Sequence, residues 1–390
     1  MRRAISVSVT LAILSAGLAA GVASAAPLLP SVPIGALDYT VNVNSPAGAP
    51  GDVFYTTGLS AAVVLPNVPI PASQPSNVIA TKAGKVIWRY VPPNGQGVSN
   101  FRTQMYQGHK VLTWWQGTSA GGHGSGVDII SDGHRIIKTI TPGGGLTSDV
   151  HEFRLTPDGH ALITSYRPVT ADLRSIGGPA NGTMYDCIAS VVDVASGRVL
   201  SRWDAVQHVP ISDTESARTA TSSTYDPFHM NSIALDPAGN LIISMRNTSA
   251  VYDVNPGTGA INWQLGGKHP TLQASPGVEF AFQHDAEFVG PQEITLFNDN
   301  SSGTDTRGLS SAQAIHIDAA HHRATLVHNF THPAGLVAFA MGNVETLPNG
   351  DEFVGWGMAP RISEFDRDGK LLYDASLPLG TYRAFLDTWP

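Results

Sequence analysis

A unit of strand, tight turn and strand recurs along this chain. Its turn half reads Leu155-Thr156-Pro157-Asp158-Gly159, Leu235-Asp236-Pro237-Ala238-Gly239 and Leu347-Pro348-Asn349-Gly350, each followed by an apolar run. Proline presets φ and glycine accepts φ > 0, so each segment is a hairpin with a mechanism. A second turn type, marked by Gly84, Gly133, Gly197, Gly259, His322 and Gly369, recurs at steps of 49, 64, 62, 63 and 47 residues. Each step has the length of a four-stranded sheet with its loops, and six in succession predict an all-β, six-bladed β-propeller. No window sustains a helical period. A β-sandwich of this length would not need six recurrences.

Composition agrees: 40 Gly, 27 Pro and only 14% charged residues among 390 describe short strands and tight turns. The expected organisation is a signal peptide over 1–25, an extended lead-in over 26–50 with one strand at Asp38 to Val43, and a single propeller domain over 51–390. Arg2 and Arg3, the apolar run from Ala4 to Val22 and Ala23-Ser24-Ala25 follow the charged, apolar, small-residue order of a secretory leader. Export to the cell envelope or beyond is the expected address, with no membrane association after cleavage. The net charge of −8 and the absence of any Lys/Arg cluster exclude nucleic acid and anionic membranes as expected partners. Cys187 is the single cysteine, so no internal disulfide forms, and it is expected to be a small buried apolar residue.

Most of the 14 histidines fall at turns. Three differ: His151 precedes the Leu155 hairpin as His229 precedes the Leu235 hairpin, and His284, in Gln283-His284-Asp285-Ala286, precedes a third strand in the same way. Equivalent positions in successive blades line one wall of a propeller's central channel. Arg246, at the far end of the strand after the His229 turn, returns toward it. Two chemistries suit this set. Imidazoles could bind a metal with Asp285 or Glu152 completing the shell, although none of the close ligand spacings of common zinc sites is present. Alternatively, one neutral imidazole is a nucleophile and another a proton carrier, with Arg246 holding a planar oxyanion. Trp114-Trp115 and the glycine-rich run that follows to Gly126 form an inner-face loop whose indoles pack between blades or stack on an aromatic ligand. The polar loop Asn298 to Gly308 lacks the spacing of a calcium loop.

The succession His229-Met230-Asn231-Ser232-Ile233, Ser244-Met245-Arg246, Ile261-Asn262-Trp263-Gln264-Leu265-Gly266-Gly267, Gln283-His284-Asp285-Ala286 and Leu296-Phe297-Asn298-Asp299-Asn300 resembles the arylsulfate sulfotransferase family, most strongly over Val150 to Asn300. The resemblance implies an exported six-bladed propeller that moves a sulfuryl group from a phenolic sulfate ester to another phenol, with no nucleotide sulfate donor, cofactor or metal. It maps the covalent histidine onto His284, the second onto His229 beside a substrate-binding Asn231, the arginine onto Arg246 and the upstream histidine onto His151. Small phenolic donors and acceptors are the implied partners. A non-catalytic propeller binding a ligand or glycan is the alternative of another class, and a metal- or quinone-dependent oxidoreductase a third.

Overall fold

The computed structural model describes residues 40–58, 74–217 and 224–389. The expected leader over 1–25 lies outside the described residues. Six antiparallel sheets form a six-bladed β-propeller. Blade 1 holds Ala384–Asp387, Asp52–Thr57, Ser76–Thr81 and Val86–Tyr90, from inside outward. Blade 2 is Gly97–Tyr106, His109–Ala120, His123–Ser131 and Ile136–Ile140; blade 3 is Phe153–Leu155, His160–Ala171, Gly182–Asp193 and Val199–Asp204. Blade 4 is Met230–Leu235, Leu241–Met245, Ala250–Val254 and Ile261–Gly266. Blade 5 is His284–Phe288, Glu293–Asn298, Ser311–Asp318 and Arg323–Thr331, with Gln273–Ala274 added in parallel at its outer edge. Blade 6 is Asn343–Thr346, Glu352–Gly355, Arg361–Phe365 and Leu371–Ser376.

The recurring markers all fall in one place, the turn between the third and fourth strands of a blade. Five are glycines with φ between 72° and 89°, and His322 adopts the same left-handed region at 53°, which a non-glycine residue enters at some cost. In the inner hairpin of blade 4, Asp236 Oδ1 accepts the N–H groups of Ala238 and Asn240, closing the turn so that Leu235 pairs with Leu241.

Both chain ends close the ring. Ala384–Asp387 is the innermost strand of blade 1, with Asp387 paired to Asp52. The strand expected in the lead-in is Thr40–Asn44, and it pairs with Leu371–Ser376 as a fifth, outermost strand of blade 6. Six buried apolar clusters hold the blades, each joining residues of two neighbours, such as Phe54 and Ile79 of blade 1 with Phe101 and Trp114 of blade 2. Alternation along a strand sends successive side chains to opposite faces. Trp114 therefore enters that cluster, whereas Trp115 turns away, donates its indole N–H to the Ser148 carbonyl at 2.9 Å and reaches the central cavity. Cys187 is buried in the cluster between blades 3 and 4.

Candidate active site

His284 is the first residue of its innermost strand, His229 directly precedes Met230, and His151 stands two residues before Phe153. They enter consecutive blades at the same level and line one cavity of about 160 Å³ together with Arg246, Trp115 and Met341. The rings of His151 and His229 are 4.8 Å apart at 83°. Backbone irregularity marks the same level: His229, Phe282 and Asp285 have φ of 55°, 56° and 54°, and register shifts follow Met230 and His284. Bulges and left-handed non-glycine residues are costly features that re-aim side chains at strand starts.

Each of the three imidazoles has Nδ1 against a carboxylate. His284 Nδ1 lies 2.7 Å from Asp299 Oδ2, His229 Nδ1 2.6 Å from Asp226 Oδ2, and His151 Nδ1 bonds Asp149 Oδ1. A proton on Nδ1 facing the acid leaves Nε2 with its lone pair. At His284 a second contact agrees, because the Met341 N–H donates to Nε2 at 3.2 Å. Burial, followed by the charges of Arg246, His229 and His151, pushes His284 well below the ordinary histidine range, so its imidazole is neutral. Burial likewise lowers His229 to about 4, against the opposing pull of Asp226. A neutral imidazole with a bare Nε2 is a competent nucleophile or base. The three carboxylates escaped the sequence reading of the site, although Asp149 and Asp226 lie two and three residues before their histidines.

Arg246 starts a short 3-10 turn, and its backbone N–H donates to the His229 carbonyl at 2.9 Å. Its Nη1 bonds Asn247 Oδ1 at 2.9 Å and its Nη2 the Phe339 carbonyl at 2.8 Å, while its guanidinium carbon lies 5.3 Å from the Phe282 ring centroid. Asn231 stands elsewhere than the sequence expects. It is fully buried, outside the cavity lining, and its Nδ2 donates to the Gln283 carbonyl at 2.7 Å. There it holds the peptide that precedes His284.

Glu152 and Asp285, the carboxylates weighed for a metal shell, are occupied otherwise. Arg383, fully buried just before the last strand, reaches Glu152 Oε2 of blade 3 at 3.0 Å and Asp285 Oδ1 of blade 5 at 3.2 Å. It also bonds Asn100 of blade 2 and the Asn231 carbonyl of blade 4. Arg102 adds a second bond to Glu152 at 3.0 Å. Burial opposes the charge of Glu152, but Arg383 and Arg102 outweigh it and hold the acid down to about 2. Arg383, the centre of this hub, lay outside every motif.

Among the described residues one group is close enough to suit a metal ion: His123, Asp226 and His229, with one ligand atom of each within 4.8 Å of the others. His123 opens the third strand of blade 2 and was not singled out within its glycine-rich run. His123 Nε2 and His229 Nδ1 both lie within 2.9 Å of Asp226 Oδ2. Ligands at zinc distances around a tetrahedral ion sit roughly 3.3 Å apart, so this spacing is that of hydrogen bonds.

The propeller's channel mouth gathers paired histidines and an arginine around an apolar-walled cavity. The chain belongs to the arylsulfotransferase (ASST) family, whose model matches residues 102–377. No curated protein matches the chain. Among solved structures it is similar to a protein of unknown function from Bacteroides caccae at 14% identity and TM-score 0.49, covering 87% of this chain and 99% of that one. It is also similar to a periplasmic gluconolactonase from Pseudomonas aeruginosa at 11% identity and TM-score 0.42, covering 90% and 99%. A catalytically inactive virginiamycin B lyase from Staphylococcus aureus with quinupristin matches at 9% identity and TM-score 0.41, covering 86% and 88%. Among the described residues no helix is long and apolar enough to cross a membrane.

Proposed function

We propose that this family member is an exported aryl sulfotransferase that works by ping-pong transfer through a sulfohistidine at His284, without a nucleotide sulfate donor. The observation that carries the reading is the geometry of His284 in the cavity wall: its Nδ1 on Asp299 and its Nε2 an acceptor, facing the Met341 N–H. In the first half-reaction Nε2 attacks sulfur, the N–S bond forms and the S–O bond to the aryl group breaks. The imidazolium form of His151, supported by Asp149, gives its Nε2 proton to the departing aryl oxygen. In the second, His151 takes the proton of the acceptor phenol as its oxygen attacks sulfur and His284 leaves.

Arg246 supplies the lasting positive charge for the sulfuryl oxygens. His229 joins it once its Nε2 is protonated, because its other nitrogen is committed to Asp226. Trp115 and Met341 make an apolar wall suited to an aryl ring. Asn231 acts as a positioning residue behind the nucleophile.

The test is incubation of the purified protein with 4-nitrophenyl sulfate with and without phenol. Nitrophenolate release that needs phenol, persists with chelator and disappears in His284→Ala is expected. Release without an acceptor would make the protein a sulfatase. No release from a panel of aryl sulfates would leave a binding propeller.

A further inference from the structure

The two middle strands His109–Ala120 and His123–Ser131 of blade 2 run past their sheet, and their tip, with Gly121 and Gly122 at φ 60° and 84°, brings Ser119 and Gly122 into the cavity lining. A Cβ on Gly122 would stand 3.4 Å from His229 Cε1. The tip grips two of the three histidine–carboxylate pairs. The Gly124 N–H donates to Asp149 Oδ2 at 2.5 Å, and His123 Nε2 meets Asp226 Oδ2 at 2.9 Å, the same oxygen that holds His229 Nδ1.

The surroundings of His123 define its proton count. Nε2 faces an ionised carboxylate at 2.9 Å, an acceptor that requires a proton on that nitrogen, and a backbone contact with Gly121 also favours the protonated ring. Its faces are aromatic, with the Tyr185 ring at 4.2 Å and 30° and the Tyr166 ring at 4.7 Å and 73°, a setting that favours a cation. Burial opposes that charge, but Asp226, then Asp149 and the Gly121 backbone, outweigh it and raise His123 above the ordinary range. Asp226 is saturated by this arrangement, since its Oδ1 accepts the N–H groups of Phe228 and His229.

We propose that His123 is a positioning residue of the transfer site: an imidazolium caged by Tyr166 and Tyr185 that shares Oδ2 of Asp226 with His229, fixing that carboxylate and thereby the orientation and proton count of His229. This rests on the reading of His229 as part of the sulfuryl site, although the charge on His123 can be measured without turnover. The charged and titratable groups around the triad are Asp149, His151, Arg246, His284, Tyr166, Tyr185 and Cys187. Because His123 is positive, removing its charge makes His229 easier to protonate, so the His229 midpoint must move up.

The experiment is ¹⁵N NMR of ring nitrogens in histidine-labelled full-length protein, with His123→Gln, which keeps a donor and loses the charge, as the partner sample. Two protonated nitrogens on His123 at neutral pH are expected, and in His123→Gln the His229 midpoint rises by about one pH unit. With an aryl sulfate, the limb of the pH profile that reports His229 moves to higher pH. One bare nitrogen on His123 at neutral pH overturns the proposal, as does an unmoved His229 midpoint or a stoichiometric metal on His123 found by elemental analysis. Should His123→Gln fail to fold, the wild-type spectrum alone decides. Should no aryl sulfate be turned over, the NMR result still stands or falls by itself.

Discussion

Asp299 Oδ2 lies 2.7 Å from Nδ1 of His284, with both side chains sealed from solvent. An aspartate at that place lets the ring keep its proton on the far nitrogen and its lone pair toward the cavity, and it supports the positive charge the ring gains once Nε2 bonds to sulfur.

Asp299→Asn tests this directly. The amide can turn its NH₂ toward Nδ1, which moves the proton to Nε2 and removes the nucleophilic lone pair. We expect kcat for 4-nitrophenyl sulfate to fall about 10²–10⁴-fold with little change in KM. Unchanged kcat in a folded variant would remove Asp299 from the mechanism.

His229 predicts a proton linkage. Burial holds its midpoint down to about 4 in the free protein, and an anionic sulfuryl group beside Nε2 raises it. Donor binding near neutral pH should therefore take up a proton, and donor affinity should weaken as pH rises through the midpoint of the complex. Calorimetry in buffers of different ionisation enthalpy reads the uptake. Zero exchange would assign the sulfuryl oxygens to Arg246 without His229.

Arg383→Met leaves Glu152 and Asp285 buried without their shared cation. Breaking one partner of a buried ion pair costs about 3–5 kcal/mol, so the urea midpoint should drop accordingly. Because Glu152 is held at about 2, below its ordinary value, its contribution is present above that ordinary value and fades as pH falls through about 2. The gap in stability between wild type and variant should shrink in that range.

Gly124→Ala places a Cβ within 2.7 Å of the Val150 backbone nitrogen and 2.8 Å of Trp115 Cζ2. Neither can retreat freely, since the indole is bonded to Ser148 and Val150 leads into His151. Activity is expected to fall more than thermal stability, measured as kcat/KM against Tm. Wild-type kinetics in this variant would mean the tip does not hold the Asp149 pair.

The blades were legible because turn chemistry is local: proline before glycine, or a residue tolerant of positive φ, shows itself within five residues. The equivalence of His151, His229 and His284 followed from that repeat, since equal positions in successive blades share one level of the channel. The placement of Asn231 has a local reason as well. Its neighbour Met230 begins a strand with a bulge, and one shifted register sends a side chain to the next blade instead of the cavity.

What the chain alone determined was therefore the period, the four-stranded core of each blade and the level of the three imidazoles, all properties of contiguous segments. The tertiary structure decided which carboxylate faces each ring, that His123 arrives from blade 2, that Arg383 joins five blades at the axis, and that the last strand completes the first blade. These contacts run from two residues of separation between Asp149 and His151 to 335 between Asp52 and Asp387. Closure of the ring fixes them, because a side chain's partner across a channel depends on the curvature of all six sheets and not on its neighbours in sequence.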